Sequence, residues 1–366
     1  MTVGFYSPLP PTRTGIADYA AALLGALRHR GGVKVGDRDA DVCLYHLGNN
    51  RLHSEIYRCA LARPGVVVLH DAVLHHLLLG MSSVDQYTEE FVFNYGEWYR
   101  QLAAELWRDR ARSASDDRYF RYAMLRRIAE ASRAVVVHNP SAAAIVRQHA
   151  PSARVAEIPH LFHPPGPPFE AEAARMRERL GLRPQTFLFG IFGYLRESKR
   201  LPVVLRAFEA IRSAGVDAAL LISGEFVSTD LARAIEPLLS RPDILRLGHL
   251  PEHDFWLYAS AVDACINLRH PAAGETSGIA VRLMGIGKPV ILSAGEENSR
   301  FPESSCIRVA ISPGETLELA QHMTWLAQSP VAAREMGRIA ASHIHERHSL
   351  DGAADLYSEV LSSCRG

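Results

Sequence analysis

The chain has 366 residues, 48% of them apolar and 22% charged, with forty basic residues balanced by forty acidic ones. That length exceeds one ordinary hydrophobic core and suits two domains, and the composition is that of a globular chain rather than a disordered one. The zero net charge leaves no global field to draw the protein onto nucleic acid or an acidic membrane, so a nucleic-acid partner is not expected.

Short β-branched runs alternate with longer amphipathic ones, the pattern of parallel sheets covered by helices. Residues 2–6 read as a buried strand, followed by the loop Ser7-Pro-Leu-Pro-Pro-Thr-Arg-Thr-Gly15. Ile16, Tyr19, Ala20, Leu23, Leu24 and Leu27 then recur at helical spacing. Further strands are predicted at Asp41–Tyr45, Val66–His70, Arg133–His138 and Arg154–Ile158. Residues 84–130 have helical character without a strand and mix aromatic residues, among them Tyr87, Phe91, Trp98 and Tyr119, with arginines such as Arg108, Arg112 and Arg121. Two readings stand for this segment: a helical hairpin packed on the sheet with a solvated basic face, or a lid that shapes an acceptor pocket or touches an anionic surface.

The Pro-rich stretch 160–168 reads as a linker. A second α/β series follows, with strands at Phe187–Phe192, Ala218–Ser223, Ala264–Leu268 and Pro289–Leu292 and a mostly apolar helix over 279–287. Three helices close the chain, the last with Leu350, Ala353, Ala354, Tyr357, Val360 and Leu361 on one face. The expected domains are 1–165, with the helical insertion at 84–130, and 166–349. The five cysteines lack zinc or redox spacing, and Met1–Tyr6 lacks a signal-peptide pattern. No apolar run approaches the ~20 residues that span a bilayer. A cytoplasmic location and no transmembrane segment are the expectation, with peripheral membrane contact through 84–130 left open.

Open parallel sheets bind ligands outside the carboxyl ends of their strands, so the loops there carry the candidate chemistry. In the first, Gly15 lets backbone approach a ligand at a helix N-terminus, where N–H groups meet phosphate. In the second, His70 ends a strand, with Asp71 beside it, and can hydrogen-bond a sugar hydroxyl. His75 and His76 follow, but no carboxylate completes a metal triad, so no metal is expected. Tyr45-His-Leu-Gly-Asn-Asn50 ends another strand and offers His46, Asn49 and Asn50 to an acceptor. The third loop, Gly193-Tyr-Leu-Arg-Glu-Ser-Lys-Arg200, sets Arg196, Lys199 and Arg200 where cations neutralise a diphosphate. The fourth, Gly274-Glu-Thr-Ser-Gly278, places Thr276, Ser277 and Gly278 at a helix N-terminus and Glu275 beside it as a ligand for sugar hydroxyls.

Ser7-Pro-Leu-Pro-Pro-Thr-Arg-Thr-Gly-Ile-Ala-Asp-Tyr19, Gly193-Tyr-Leu-Arg-Glu-Ser-Lys-Arg200 and Gly274-Glu-Thr-Ser-Gly-Ile-Ala-Val-Arg-Leu-Met-Gly-Ile-Gly-Lys-Pro-Val290 resemble the retaining glycosyltransferases of family 4, in order and over nearly the whole chain. The resemblance implies an α/β fold of two Rossmann-like domains with parallel sheets facing across a cleft, the GT-B architecture. It implies an N-terminal acceptor domain, a C-terminal donor domain, and a last helix, 350–366, that returns to the first.

It further implies transfer of a sugar from a nucleoside-diphosphate sugar, with retention and without a metal, to a glycan, lipid-linked or small-molecule acceptor. Gly15 would then cap the donor phosphates, His70 would contact the transferred sugar, Lys199 with an arginine would hold the diphosphate, and Glu275 would bind the sugar hydroxyls. Two departures stand out. Tyr194 replaces the arginine common after the first glycine of the third loop. The register of the family's ribose-binding glutamate falls at Arg282 and Leu283, so Arg282 is taken as the nucleotide-side candidate. A non-catalytic sugar-nucleotide-binding relative and a sugar-nucleotide epimerase of the same architecture remain alternatives. An NAD-dependent oxidoreductase lacks its G-x-G-x-x-G fingerprint here.

Overall fold

The computed structural model describes residues 1–166 and 169–365. Pro167 and Pro168 of the Pro-rich stretch, and Gly366 after the last helix, lie outside the described residues. The chain divides into two compact units: Met1–Leu161 with Pro271–Thr276 and Arg347–Gly366, and Phe162–His270 with Ser277–Glu346. The short segment Pro271–Thr276 therefore belongs with the first unit although it lies far along the chain.

The first unit is a six-stranded parallel sheet: β1 (Thr2–Tyr6), β2 (Gly32–Val35), β3 (Val42–Leu47), β4 (Val66–Leu69), β5 (Ala134–Val137) and β6 (Val155–Glu157), in the order β2-β1-β3-β4-β5-β6. β3, β4 and β5 are buried along their whole length, because helices cover both faces. Alternation sorts their side chains. Val42, Leu44, Val66, Val68, Ala134 and Val136 face the helix Gly15–Arg28, with Tyr19, Leu23 and Leu27, and the closing helix Leu350–Ser363. Cys43, Tyr45, Leu47, Val67, Leu69, Val135 and Val137 face the opposite layer.

That opposite layer includes the aromatic segment. Tyr87, Phe91 and Tyr119 are fully buried in it, while Arg108, Arg112 and Arg121 are exposed. The segment is a run of helices, Val84–Tyr95, Arg100–Asp109, Arg118–Arg121 and Arg126–Ala131, packed on the sheet, while Arg118, Arg126 and Arg127 are half-buried in ion pairs with Asp116, Glu130 and Glu90.

The second unit repeats the plan with β7 (Phe187–Phe192), β8 (Ala218–Ser223), β9 (Ile244–Leu247), β10 (Ala264–Asn267), β11 (Val290–Ser293) and β12 (Cys306–Val309), ordered β12-β11-β10-β7-β8-β9, again all parallel. The chain winds outward from β7 on one side and from β10 on the other, so the strand order reverses between these two neighbours. In the first sheet the reversal falls between β1 and β3. The two expected Rossmann-like parallel sheets are present. Among the described residues no helix is long and apolar enough to cross a membrane.

The closing helix is anchored by one buried polar contact. The hydroxyls of Tyr19 and Tyr357 lie 2.9 Å apart, both residues being buried, while Arg30 reaches Asp355 and Asp351 at the rim. Removing the Tyr357 hydroxyl leaves that of Tyr19 buried without this partner. Tyr357→Phe is expected to cost about 1–2 kcal/mol, read from urea unfolding. A loss too small to measure would mean that the contact contributes nothing net.

Candidate active site

Three adjacent strands of the first sheet end in histidine on the same face. His46 lies in β3, His70 follows β4 and His138 follows β5, each continuing the alternation that points Leu44, Val68 and Val136 toward Tyr19. The rings form a wall: His46 and His70 are stacked with centroids 5.3 Å apart, His70 and His138 are 5.1 Å apart, and Tyr19 meets His70 edge-on at 4.9 Å. His46 Nδ1 lies 3.0 Å from His70 Nε2. Burial pushes His46 down to about 3 and His138 to about 4, and holds His70 well below its ordinary value. The neighbouring imidazoles push His46 and His70 down further, so the wall is neutral at pH 7.

The segment after His70 is stitched to the Gly274–Gly278 loop. The backbone N–H groups of Ala72 and Val73 donate to the Ala273 carbonyl at 2.7 and 3.1 Å. Asn139 Nδ2 donates to the Gly274 carbonyl at 2.9 Å and to Thr276 Oγ1 at 3.0 Å, while its Oδ1 caps the helix Pro140–His149. Gly274 has φ +72°, and a Cβ there would come within 2.8 Å of Ala72 Cβ, so glycine is required twice over. Glu275 turns back to accept from the Ala273 N–H at 2.6 Å. The first unit thus gathers His70, Asp71 and Glu275.

The other candidates in this unit act largely as scaffold. Asn49 Oδ1 accepts from the His76 and Leu77 N–H groups at 2.8 and 3.1 Å, its backbone N–H donates to Asp71 Oδ2 at 2.7 Å, and Asn50 Oδ1 caps the turn at Leu52. His46 is completely buried. Gly15 opens its helix behind a Thr14 cap, with open space where a Cβ would stand.

In the second unit the strand reversal brings the loops after β7 and β10 together, and the His270 N–H donates to the Ser198 carbonyl at 2.7 Å. Gly193 and Gly224, φ +85° and +148°, let the turns after β7 and β8 touch; a Cβ on Gly224 would sit 2.2 Å from the Gly193 oxygen. Lys199 is buried, and its Nζ donates to the Phe192 carbonyl. Burial, with Arg269 and Arg196 adding like charge, lowers its ammonium from the usual range to about 7. Arg196 is exposed. Arg200, expected on the phosphates, is instead bound to the buried carboxylate of Glu315. Ser277 caps the helix Gly278–Gly285 through the Ala280 N–H at 3.3 Å.

Arg282 is packed away as well: its guanidinium lies 3.9 Å from the Phe255 ring centroid and 4.3 Å from that of Trp256, and it pairs with Glu252. A cavity of about 410 Å³, lined by Leu195, Gly224, Glu225, Phe226, Arg246 and Gly248 among others, opens outside β8 and β9. Among the described residues no group of three or more histidines, cysteines or carboxylates is placed to hold a metal ion.

Glu315, Asn139 and His138 were not singled out in the sequence. His138 had a usable signal, since it ends a strand in the same alternation as His70. Asn139 precedes a proline at a helix start, the mark of a cap. Glu315 lies 115 residues from Arg200, and nothing local marks it.

Two outcomes are expected. Arg200→Ala strands the Glu315 carboxylate and should cost about 2–3 kcal/mol, whereas Arg196→Ala, at an exposed position, should cost under about 0.5 kcal/mol; equal costs in chemical denaturation would contradict this division. His46, His53, His70, His75 and His138 all have native values lowered by burial, His53 to about 4 and His75 to about 3. Unfolded, they bind protons near ~6.5. Their contribution is therefore complete above that pH and is lost as pH falls through it toward 4. Unfolding near pH 5 should take up about four to five protons, read from the slope of stability against pH as it falls from 7.5 to 5. A flat profile would contradict the neutral wall.

No protein-family model matches the sequence, and no curated protein does. Solved structures do match over nearly the full length. A sucrose-phosphate synthase from Thermosynechococcus elongatus aligns over 99% of this chain and 100% of its own, at 16% identity and TM-score 0.68. HepE of Anabaena, determined with UDP and glucose, aligns over 99% and 100%, at 15% identity and TM-score 0.69. The catalytic domain of starch synthase IV from Arabidopsis thaliana, bound to ADP and acarbose, aligns over 99% of each chain, at 12% identity and TM-score 0.63. At such identities the likeness carries the fold alone, and the chain shares with these structures the GT-B fold of two Rossmann-like parallel-sheet domains.

Proposed function

We propose that this protein is a glycosyltransferase that moves a sugar from a nucleoside-diphosphate sugar to an acceptor hydroxyl, with retention at the anomeric carbon and without a metal. The observation that carries the reading is Lys199. It is a buried amine at the strand reversal of the second sheet, and the arginines that act on it, Arg269 and Arg196, carry the same sign of charge. Such a cluster is stabilised by an anion with several oxygens, and a diphosphate supplies them. The capped helix start at Ser277–Gly278 adds backbone N–H groups and positive dipole. The cavity outside β8 and β9 begins at Leu195, next to Arg196, and suits the nucleotide's base.

The chemistry asks for charge compensation. The leaving diphosphate gains negative charge, and the sugar becomes oxocarbenium-like. Lys199, Arg196 and the helix N-terminus meet the first demand through preorganised electrostatics. His70 and Glu275 orient the sugar, and Gly15 offers its N–H to the donor phosphates. The leaving phosphate oxygen takes the acceptor proton on the same face. Arg200 supports this arrangement by anchoring the Lys199 turn to Glu315. We assign the donor to the second unit and the acceptor to the first, with Asp71 at the acceptor side. The ribose is held without Arg282, whose side chain is engaged by Glu252 and the rings of Phe255 and Trp256.

Thermal unfolding with UDP-, GDP-, TDP- and ADP-sugars should reveal one nucleotide that raises Tm by several degrees; if none does, the donor-site assignment fails. Lys199→Ala should lower transfer by about 100-fold or more with a native-like melting curve, and wild-type transfer in that variant would remove the clamp. The diphosphate favours the protonated lysine, so donor affinity should fall as pH rises above 7. Transfer should persist in a chelator. A binding-only relative would show the Tm shift without turnover, and an epimerase would convert the donor without an acceptor.

A further inference from the structure

The histidine wall determines which nitrogen of His70 is available to a ligand. His53 Nδ1 lies 3.0 Å from the His46 carbonyl, and His138 Nδ1 lies 2.9 Å from the Ile158 carbonyl. A carbonyl only accepts, so both rings carry their proton on Nδ1. Their Nε2 atoms are buried without a hydrogen-bond partner, and so is that of His46. A buried lone pair without a partner is tolerated better than a buried N–H without one. In His46 the proton therefore belongs on Nδ1 as well, and it points at His70 Nε2, 3.0 Å away. The reverse arrangement, with His70 donating, would force a proton onto the orphaned His46 Nε2.

We propose that His46 is a positioning residue: its Nδ1–H donates to His70 Nε2, so that His70 is held as the neutral tautomer with its proton on Nδ1 and offers that N–H to the sugar. The proposal rests on the reading that His70 meets the transferred sugar. It gives His70 a definite role, a neutral donor to a sugar oxygen. An imidazolium there would place positive charge beside an oxocarbenium-like centre and oppose its formation. The stacking of His46 on His70 and the edge of Tyr19 hold the ring plane as well. His46 is completely buried and acts through His70.

The test uses the full chain with 15N-labelled histidine. Long-range 1H–15N spectra should show His70, assigned by loss of its signals in His70→Gln, with a protonated Nδ1 and a bare Nε2. A protonated Nε2 on His70 overturns the proposal whatever the enzyme does. His46→Leu removes the donor and should lower kcat about tenfold or more with donor KM little changed, and should broaden or reverse the His70 pattern. His46→Asn, whose amide N–H falls near the imidazole Nδ1, should restore both. A folded His46→Leu protein with unchanged kcat and an unchanged His70 pattern overturns the proposal. If that variant does not fold, the wild-type spectrum decides. If the wild type turns over no nucleotide sugar, the functional reading fails, while the spectrum still decides the tautomer.

Discussion

Parallel pairing is the constraint on which the rest of this structure depends. Every strand pair in both sheets is parallel, so each connection must cross back over a face before the next strand begins. The crossovers bury both faces, which is why β3, β4, β5, β7 and β8 are buried along their whole length. They also gather the carboxyl ends of all strands in a sheet along one edge. Where the strand order reverses in the second sheet, the loops after β7 and β10 meet at that edge, and open sheets of this kind bind ligands beside such a point. His70, the Lys199 turn and the loop at Ser277 all lie beyond carboxyl ends of strands.

Burial does different work in the two units. In the first, it keeps a row of imidazoles neutral beside His70, at the cost of stability in acid. In the second, it weakens the hold of Lys199 on its own proton while Arg269 and Arg196 add positive charge nearby. One environment keeps its titratable groups neutral, and the other gathers positive charge around a buried amine.

Several side chains that look like ligands along the chain turn out to build the scaffold. Arg200 neutralises Glu315, Arg282 packs against the rings of Phe255 and Trp256, and Asn49 caps the turn into the helix that starts at His75. Each is polar and lies in or near a candidate loop, and each is occupied by a partner distant in sequence. The aromatic residues of 84–130 behave likewise: Tyr87, Phe91 and Tyr119 are core. Trp98, almost fully exposed beside Gly96, and the exposed Tyr99 differ.

The fold class was legible because periodicity is local. Phe187–Phe192 and Ala218–Ser223 read as strands with their observed bounds, since an unbroken apolar run between turn signals has few other uses. The strands β2, β9 and β12 were not legible. All three are edge strands of four residues, and each is interrupted by a charged residue, Lys34, Arg246 or Arg308, so none reads as an unbroken apolar run. The candidate loops were legible for the same reason as the fold: glycine, cation and hydroxyl signals follow strands. What the sequence determined was therefore the order of elements and which loops end strands. Only the tertiary structure decided which side chain in each loop is already engaged. Glu315 reaches Arg200, Asn139 reaches Gly274, and His46 stacks under His70 across distances of 24 to 135 residues. Those pairings follow from the register of the sheets and the crossing of the helices, and spacing along a chain does not record them.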